Sequence, residues 1–181
     1  YILMNIVEIK NLVSRYKVFA GEKEKAKEIT VINGLSLSIS QGEFVGILGH
    51  NGSGKSTLAR QLTALLKPAA GVVYIKGMDT SDDAYRLLIR KTAGLVFQNP
   101  DNQLIGSTVE EDVAFGMENL GIPSQEMEAR ITRVLADLGM SAFRMTSPNS
   151  LSGGQKQKIA LSGILAMEPE CIVFDEPTAM L

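Results

Sequence analysis

The sequence predicts an α/β fold with a mainly parallel sheet and a helical insertion, and three observations carry that prediction. Short apolar runs without alternation, at residues 44–48, 93–97 and 171–174, have the pattern of strands buried on both faces. Segments with helical leucine spacing separate strands, and strand–helix–strand alternation favours parallel pairing. Residues 101–150 instead read as helix after helix, with N-terminal capping signals at Thr108 and Ser124.

The elements follow in order. Residues 5–12 and 31–39 alternate apolar and polar side chains and read as strands. Between them, the charged run 22–28 (EKEKAKE) reads as a solvated hairpin tip or loop. Gln41-Gly42-Glu43 is a turn, and 44–48 (FVGIL) a two-sided strand. Residues 55–66 form a helix with Leu58, Leu62, Leu65 and Leu66 on one face, ended by Pro68 and Gly71. A strand at 72–75, a helix at 82–91 and a buried strand at 93–97 complete the first part.

Thr108, with Glu111 three residues on, is a capping box and starts a helix of about ten residues. Gly121-Ile122-Pro123 breaks it. Ser124 is expected to cap a second helix, with Met127, Ile131, Val134, Leu135 and Leu138 on one face. A helix at 152–167 leads to a buried strand at 171–174 that ends in Asp175-Glu176. The expected division is therefore an α/β part, 1–100 and 151–181, around a helical part, 101–150.

Composition narrows the function classes. With 181 residues, 45% hydrophobic and 21% charged, the chain can bury a sizeable core and is globular. A net charge of −2 gives no strong field for nucleic acid or anionic membrane. The single cysteine, Cys171, excludes an internal disulfide, suits a reducing compartment and is expected to be a small buried apolar residue. No run approaches the ~18 apolar residues of a membrane-spanning helix.

The chemistry is carried by Gly49-His50-Asn51-Gly52-Ser53-Gly54-Lys55-Ser56-Thr57, which fits G-x-x-x-x-G-K-S between a strand and a helix. Small residues let backbone N–H groups approach an anion, and the following helix points its positive end at it. Lys55 can reach terminal phosphates as a point charge, and Ser56 can offer its hydroxyl to Mg2+. With glycine near 7% of average composition, such a match arises by chance in fewer than about 1% of chains this long. His50, the only histidine, occupies an unconstrained position and reads as incidental. Behind such a loop, Asp175 can meet the metal ion and Glu176 can polarise an attacking water.

These residues resemble those of the ATP-binding-cassette (ABC) ATPases, over nearly the whole chain. Gly49 to Thr57 matches the Walker A loop, Leu151-Ser152-Gly153-Gly154-Gln155 the signature motif, and Cys171 to Glu176 the Walker B strand. Gln98 matches the Q-loop glutamine, and Tyr16 the aromatic that stacks on adenine. Val96-Phe97-Gln98-Asn99-Pro100-Asp101-Asn102-Gln103, and residues 108–116 (TVEEDVAFG), are most similar to the ATPase subunits of energy-coupling factor (ECF) transporters, which import vitamins and transition-metal ions.

The resemblance implies a P-loop NTPase core with a mainly parallel sheet, an N-terminal antiparallel β subdomain and a helical subdomain insertion. It implies ATP and Mg2+ as cofactors, with Ser56, Gln98 and Asp175 around the metal and Lys55, Gln98 and Glu176 in catalysis. It implies a pair of cassettes, homo- or heterodimeric, in which Ser152, Gly153, Gly154 and Gln155 act on the nucleotide of the other subunit. It also implies integral membrane partner subunits, no nucleic acid, and a peripheral place on the cytoplasmic face of the membrane.

The family pattern continues past Leu181 with an aspartate, a further strand and a histidine. That strand would lie between those preceding the phosphate loop and Asp175. A chain without it is expected to expose both neighbours and to hydrolyse poorly; a longer protein would escape this. Two other readings compete: a soluble cassette ATPase of DNA repair or translation, which should carry a coiled-coil insertion or a tandem cassette, and a module that binds nucleotide without efficient turnover.

Overall fold

In a computed structural model of the chain, residues 4–18 and 27–176 are described. They divide into two compact units, Tyr1–Ala93 and Gly94–Leu181. Most of the charged run 22–28 lies outside the described residues.

The first unit is built on an antiparallel sheet of order β2-β1-β3-β4, with β1 at Asn5–Val18, β2 at Lys27–Ser40, β3 at Ala70–Ile75 and β4 at Met78–Asp79. Strand β1 is central, pairing with β2 on one edge and β3 on the other. It runs well past the expected residue 12, because β2 supplies ladder partners as far as Val18–Lys27. Its buried side chains are Ile6, Val7, Ile9, Leu12 and Ser14, and along 7, 9, 12 and 14 the period-2 pattern slips by one between Ile9 and Leu12. A bulge explains the slip: the register with both neighbours shifts there, and Asn11 takes φ +49°.

Gly71 faces this bulge at φ +75°, and a Cβ on it would stand 2.2 Å from the Asn11 carbonyl oxygen. Only glycine meets both conditions.

Helix α1, Lys55–Leu62, is shorter than the expected 55–66. Ala64 turns left-handed at φ +52°, and the Thr63 hydroxyl donates back to the Ala59 carbonyl at 3.2 Å. Leu58 and Leu62 are buried as expected, whereas Leu65, beyond the end, is 41% exposed. Helix α2, Arg86–Thr92, follows a 3-10 turn capped by the Asp82 side chain.

The expected strand at 44–48 is not formed. The segment joins no ladder among the described residues, and Phe44 and Leu48 are 98% and 96% exposed. A strand of that composition is held only by neighbours on both edges and cover on both faces, and the described residues supply neither.

The second unit pairs β5, Ala93–Val96, with β6, Cys171–Phe174, as a parallel sheet. β5 is buried throughout, but β6 is only half-buried and Phe174 is 47% exposed. Cys171 is accordingly half-buried rather than fully buried, and desolvation pushes its thiol pKa up. Three helices form the larger core: α3 at Val109–Asn119, α4 at Ser124–Asp137 and α5 at Gly153–Ala166. Val113, Met117, Ile131, Leu135 and Ile159 meet at its centre; burying each such side chain contributes about 1.5–3 kcal/mol.

The capping box at Thr108 and Glu111 is present. The cap of α4 differs from expectation: Pro123 holds the N-cap position, and Ser124 is the first helical residue without a side-chain cap bond. Helices α4 and α5 close each other's C-terminal ends. Lys158 on α5 donates to the Leu138 carbonyl at 3.2 Å, and Arg130 on α4 donates to the Ala166 carbonyl at 3.0 Å.

Arg144, after the 3-10 turn Ser141–Phe143, reaches Glu110 on α3 at 2.6 Å and Glu128 on α4 at 2.5 Å. Its hydrogen bonds hold both carboxyls below their ordinary value of 4.5. A carboxyl depressed in the folded state stabilises above its unfolded pKa and loses that contribution as pH falls through the folded one. The melting temperature should therefore fall as pH drops below about 4.5, and Arg144→Met should flatten that acid limb. Thermal melts of both proteins from neutral to acid pH decide it: parallel acid limbs would show that Arg144 has no such linkage.

Candidate functional site

In the first unit the phosphate loop closes onto α1. Gly54 is the N-cap at φ +95°, and a Cβ there would press on Val31 and Ile32 of β2 at 3.1–3.2 Å. No side chain caps α1 and no acidic residue sits in its first turn, so its positive end is not offset locally. Within the loop, the Ser53 N–H donates to the His50 carbonyl at 3.1 Å. Lys55 folds back over the loop, donating from Nζ to the carbonyls of Gly49 at 2.9 Å and His50 at 3.2 Å. Lys55 and Ser56 are half-buried, whereas Gly49, Asn51, Gly52 and Ser53 are exposed. The loop is thus an open turn with its lysine parked on backbone carbonyls.

Tyr16 lies on β1, half-buried, and its hydroxyl meets the Thr57 hydroxyl at 3.2 Å. A second bond runs beside it: Gln61 Nε2 donates to Ser14 Oγ at 2.5 Å, both residues being buried. Ser14 and Tyr16 share a strand face by the two-residue period, and Thr57 and Gln61 share a helix face by the four-residue period. The tyrosine is therefore tied to the phosphate-loop helix. Thr57 appears in the sequence motif, but Ser14 and Gln61 are not legible as partners there, because the pairing is fixed by where α1 crosses β1.

In the second unit, Asp175 and Glu176 follow β6. Asp175 is 7% exposed, and its N–H donates to the Val96 carbonyl at 3.0 Å, holding the acid beside the end of β5. Glu176 is exposed and takes φ +48°, a left-handed conformation that costs a non-glycine residue about 1–2 kcal/mol. Gln98, just past β5, donates from Nε2 to Glu176 Oε2 at 3.0 Å. The two residues, 78 apart in sequence, meet because β5 and β6 are neighbours.

The signature segment opens α5. Ser152 is the N-cap, its hydroxyl accepting from the Gln155 N–H at 3.4 Å, while Gln155 Oε1 accepts from the Ser152 N–H at 2.9 Å. The Gln155 side chain is thus part of a capping box. The N–H groups of Gly153 and Gly154 have no acceptor within the helix, and Ser152 and Gly153 are exposed.

Two further glutamines lie behind Gln98: Gln103 closes the segment 96–103 that carries the family resemblance, but sequence reasoning gives it no role, and it does not single out Gln157. Gln103 Oε1 accepts from the Phe97 N–H at 3.3 Å and Gln157 Nε2 donates to the Phe97 carbonyl at 3.3 Å. The bonds themselves are not legible in the sequence, because the one from Gln157 joins residues 60 positions apart.

Comparison with known proteins places the chain in a family. The sequence model of the family described as ABC transporter matches residues 32–179. The energy-coupling factor transporter ATP-binding protein EcfA1 of Clostridium novyi is 53% identical over 98% of this chain. The cobalt import ATP-binding protein CbiO of Syntrophus aciditrophicus is 45% identical over 97% of it. Among solved structures, CbiO1 of Clostridium perfringens, part of the transporter complex CbiONQ, superposes with TM-score 0.78 at 33% identity, covering 98% of this chain and 67% of that one. A dimeric ATP-binding cassette bound to ADP and Pi superposes with TM-score 0.84 at 34% identity, covering 97% of this chain and 75% of that one. The chain spans 52–62% of the length of the EcfA1 proteins it matches, and 60% of that CbiO.

Proposed function

The chain belongs to the ABC transporter family, and from that membership we propose that it binds and hydrolyses ATP to power an ECF-type importer. The observation that carries the enzymatic reading is the Gln98–Glu176 contact of 3.0 Å, which brings an amide and a carboxylate together at the ends of neighbouring parallel strands. Relatives named for energy-coupling factor transport and for cobalt import support a vitamin or a transition-metal ion as cargo.

The roles follow from the chemistry of each group. The phosphate loop and the N-terminus of α1 bind the triphosphate, with Lys55 leaving its backbone carbonyls for phosphate oxygens. Tyr16 offers a ring face to the base. Glu176 accepts a proton from the attacking water, and Gln98 orients that water. Gly153 and Gly154, with Ser152, present donors to the nucleotide of a second cassette, which is either a copy of this chain or a relative. Dimeric cassette structures in the family support that pairing. No helix among the described residues is long and apolar enough to cross a membrane. Family membership supports separate membrane subunits as partners, with this chain peripheral on their cytoplasmic side.

The cation proposed to accompany ATP is Mg2+. The candidate ligands, the Ser56 hydroxyl, the Gln98 amide oxygen and the buried Asp175 carboxylate, are all hard oxygen donors and fit that ion. When bound, it would neutralise charge on the phosphates.

Lys55→Ala tests the binding half. A charge-assisted hydrogen bond contributes about 1.5–3 kcal/mol, so the Kd for ATP should rise by about ten- to a hundredfold. Titration calorimetry reads it directly, and an unchanged Kd would remove Lys55 from the phosphate site. Wild-type protein that binds ATP without releasing phosphate would favour the non-hydrolysing module instead.

A further inference from the structure

Phe97 stands one residue beyond the end of β5, where the ladder no longer serves its peptide groups. Gln103 takes its N–H and Gln157 its carbonyl, each at 3.3 Å. Gln103 also donates from Nε2 to the Ala160 carbonyl at 2.9 Å. Gln157 and Ala160 lie three apart on α5, 5% and 1% exposed. The helix is seated directly on the strand: a Cβ on Gly94 would stand 2.5 Å from Ile164.

This arrangement has a direct bearing on Gln98. The Phe97 carbonyl belongs to the same peptide plane as the Gln98 nitrogen, so the grip of Gln157 fixes where the Gln98 side chain starts. About one turn before Gln157, the N-terminus of α5 carries Ser152, Gly153 and Gly154. A packing role alone does not account for Gln157. Its Oε1 is buried with no hydrogen-bond partner among the described residues, and leaving such an atom unsatisfied costs about 1–3 kcal/mol. Leucine would remove that penalty but leave the Phe97 carbonyl without this donor, so what the amide contributes is its bond to Phe97.

We propose that Gln103 and Gln157 are positioning residues: they clamp the start of the Gln98 loop to α5, so that the glutamine facing one nucleotide and the glycines facing the other move as one body. The inference rests on the ATPase reading above. In a paired cassette, such a clamp makes turnover at the two sites interdependent.

The test uses the protein expressed at its native length, with Gln157→Leu, Gln103→Met and Lys156→Ala. The last removes an ion pair to Asp101 of 2.7 Å, which is 62% exposed on the acid side and contributes little. Three quantities are read: ATP affinity without turnover, kcat, and the Hill coefficient for ATP. Gln157→Leu and Gln103→Met should keep affinity within about twofold, lose kcat by about tenfold and bring the Hill coefficient down toward 1. Lys156→Ala should match wild type. Wild-type kcat and Hill coefficient in both glutamine variants would overturn the clamp while leaving the ATPase reading intact. So would a loss of affinity in step with a lower melting temperature, which marks a purely structural role. If Gln157→Leu does not fold, Gln103→Met, on the half-buried loop side, carries the same decision. Wild-type protein that binds ATP but never turns it over would sink both readings together.

Discussion

Replacing Glu176 by Gln is expected to cut steady-state ATP turnover by about 10²–10⁴-fold, the usual contribution of a positioned general base. In energy this is about 2.7–5.5 kcal/mol of transition-state stabilisation. The change is nearly isosteric. A glutamine keeps one oxygen able to accept from Gln98, so the 3.0 Å contact can survive while the basic carboxylate is lost. ATP affinity should stay within about twofold, because the charge proposed to hold phosphate, Lys55, lies in the loop at 49–57. With binding kept and hydrolysis lost, ATP should trap the closed pair, visible as a dimer in size-exclusion chromatography. Phosphate release and ATP binding are measured on the same preparation. Release at the wild-type rate would remove Glu176 from the reaction. Its φ of +48° is the kind of local backbone cost that persists where surrounding structure imposes a geometry on a functional side chain.

Gly71→Ala should be the most damaging single methyl in the first unit. The left-handed backbone costs an alanine about 1–2 kcal/mol. Forcing a methyl into packed structure adds about 1–3 kcal/mol, and here the neighbour is the Asn11 backbone at 2.2 Å, which has no rotamer to yield. The sum is about 2–5 kcal/mol, a large share of a typical domain's stability. Gly34→Ala separates the two contributions: its φ is +73°, but a Cβ there meets nothing within 4 Å. Thermal or denaturant unfolding should show Gly34→Ala losing only about 1–2 kcal/mol. Equal losses at the two sites would refute the steric account of the bulge.

The features legible in the sequence share a short reach. The capping box at Thr108–Glu111 closes within three residues, so its residue types alone announce it. The phosphate loop is likewise a contiguous turn, with Gly54 at positive φ and a lysine after it. The amphipathic face of α4 emerged where the 3.6-residue period placed it, through Ile131, Val134 and Leu135. Asp175 and Glu176 were read from the apolar run that precedes them, Gln98 from resemblance to the family, and the Gln98–Glu176 contact belongs to the sheet.

What depended on distant partners was misread or invisible. The run at 44–48 has the composition of a buried strand, yet burial is a property of neighbours, and among the described residues it has none. The slip in β1 could not be read from alternation, because Asn11 and Gly71, 60 positions apart, make the bulge together. The bonds from Gln103 and Gln157 to Phe97, and from Gln61 to Ser14, join residues whose side chains are unremarkable in isolation. The sequence by itself determined the glycine-rich turn before α1, the capped start of α3 and the apolar face of α4, because each is settled by hydrogen bonds or periodicity within a few residues. Only the tertiary structure decided which strands are covered, where β1 shifts register and what holds Gln98 on Glu176, because a buried polar group is satisfied by whichever partner the packing brings within 3 Å or so.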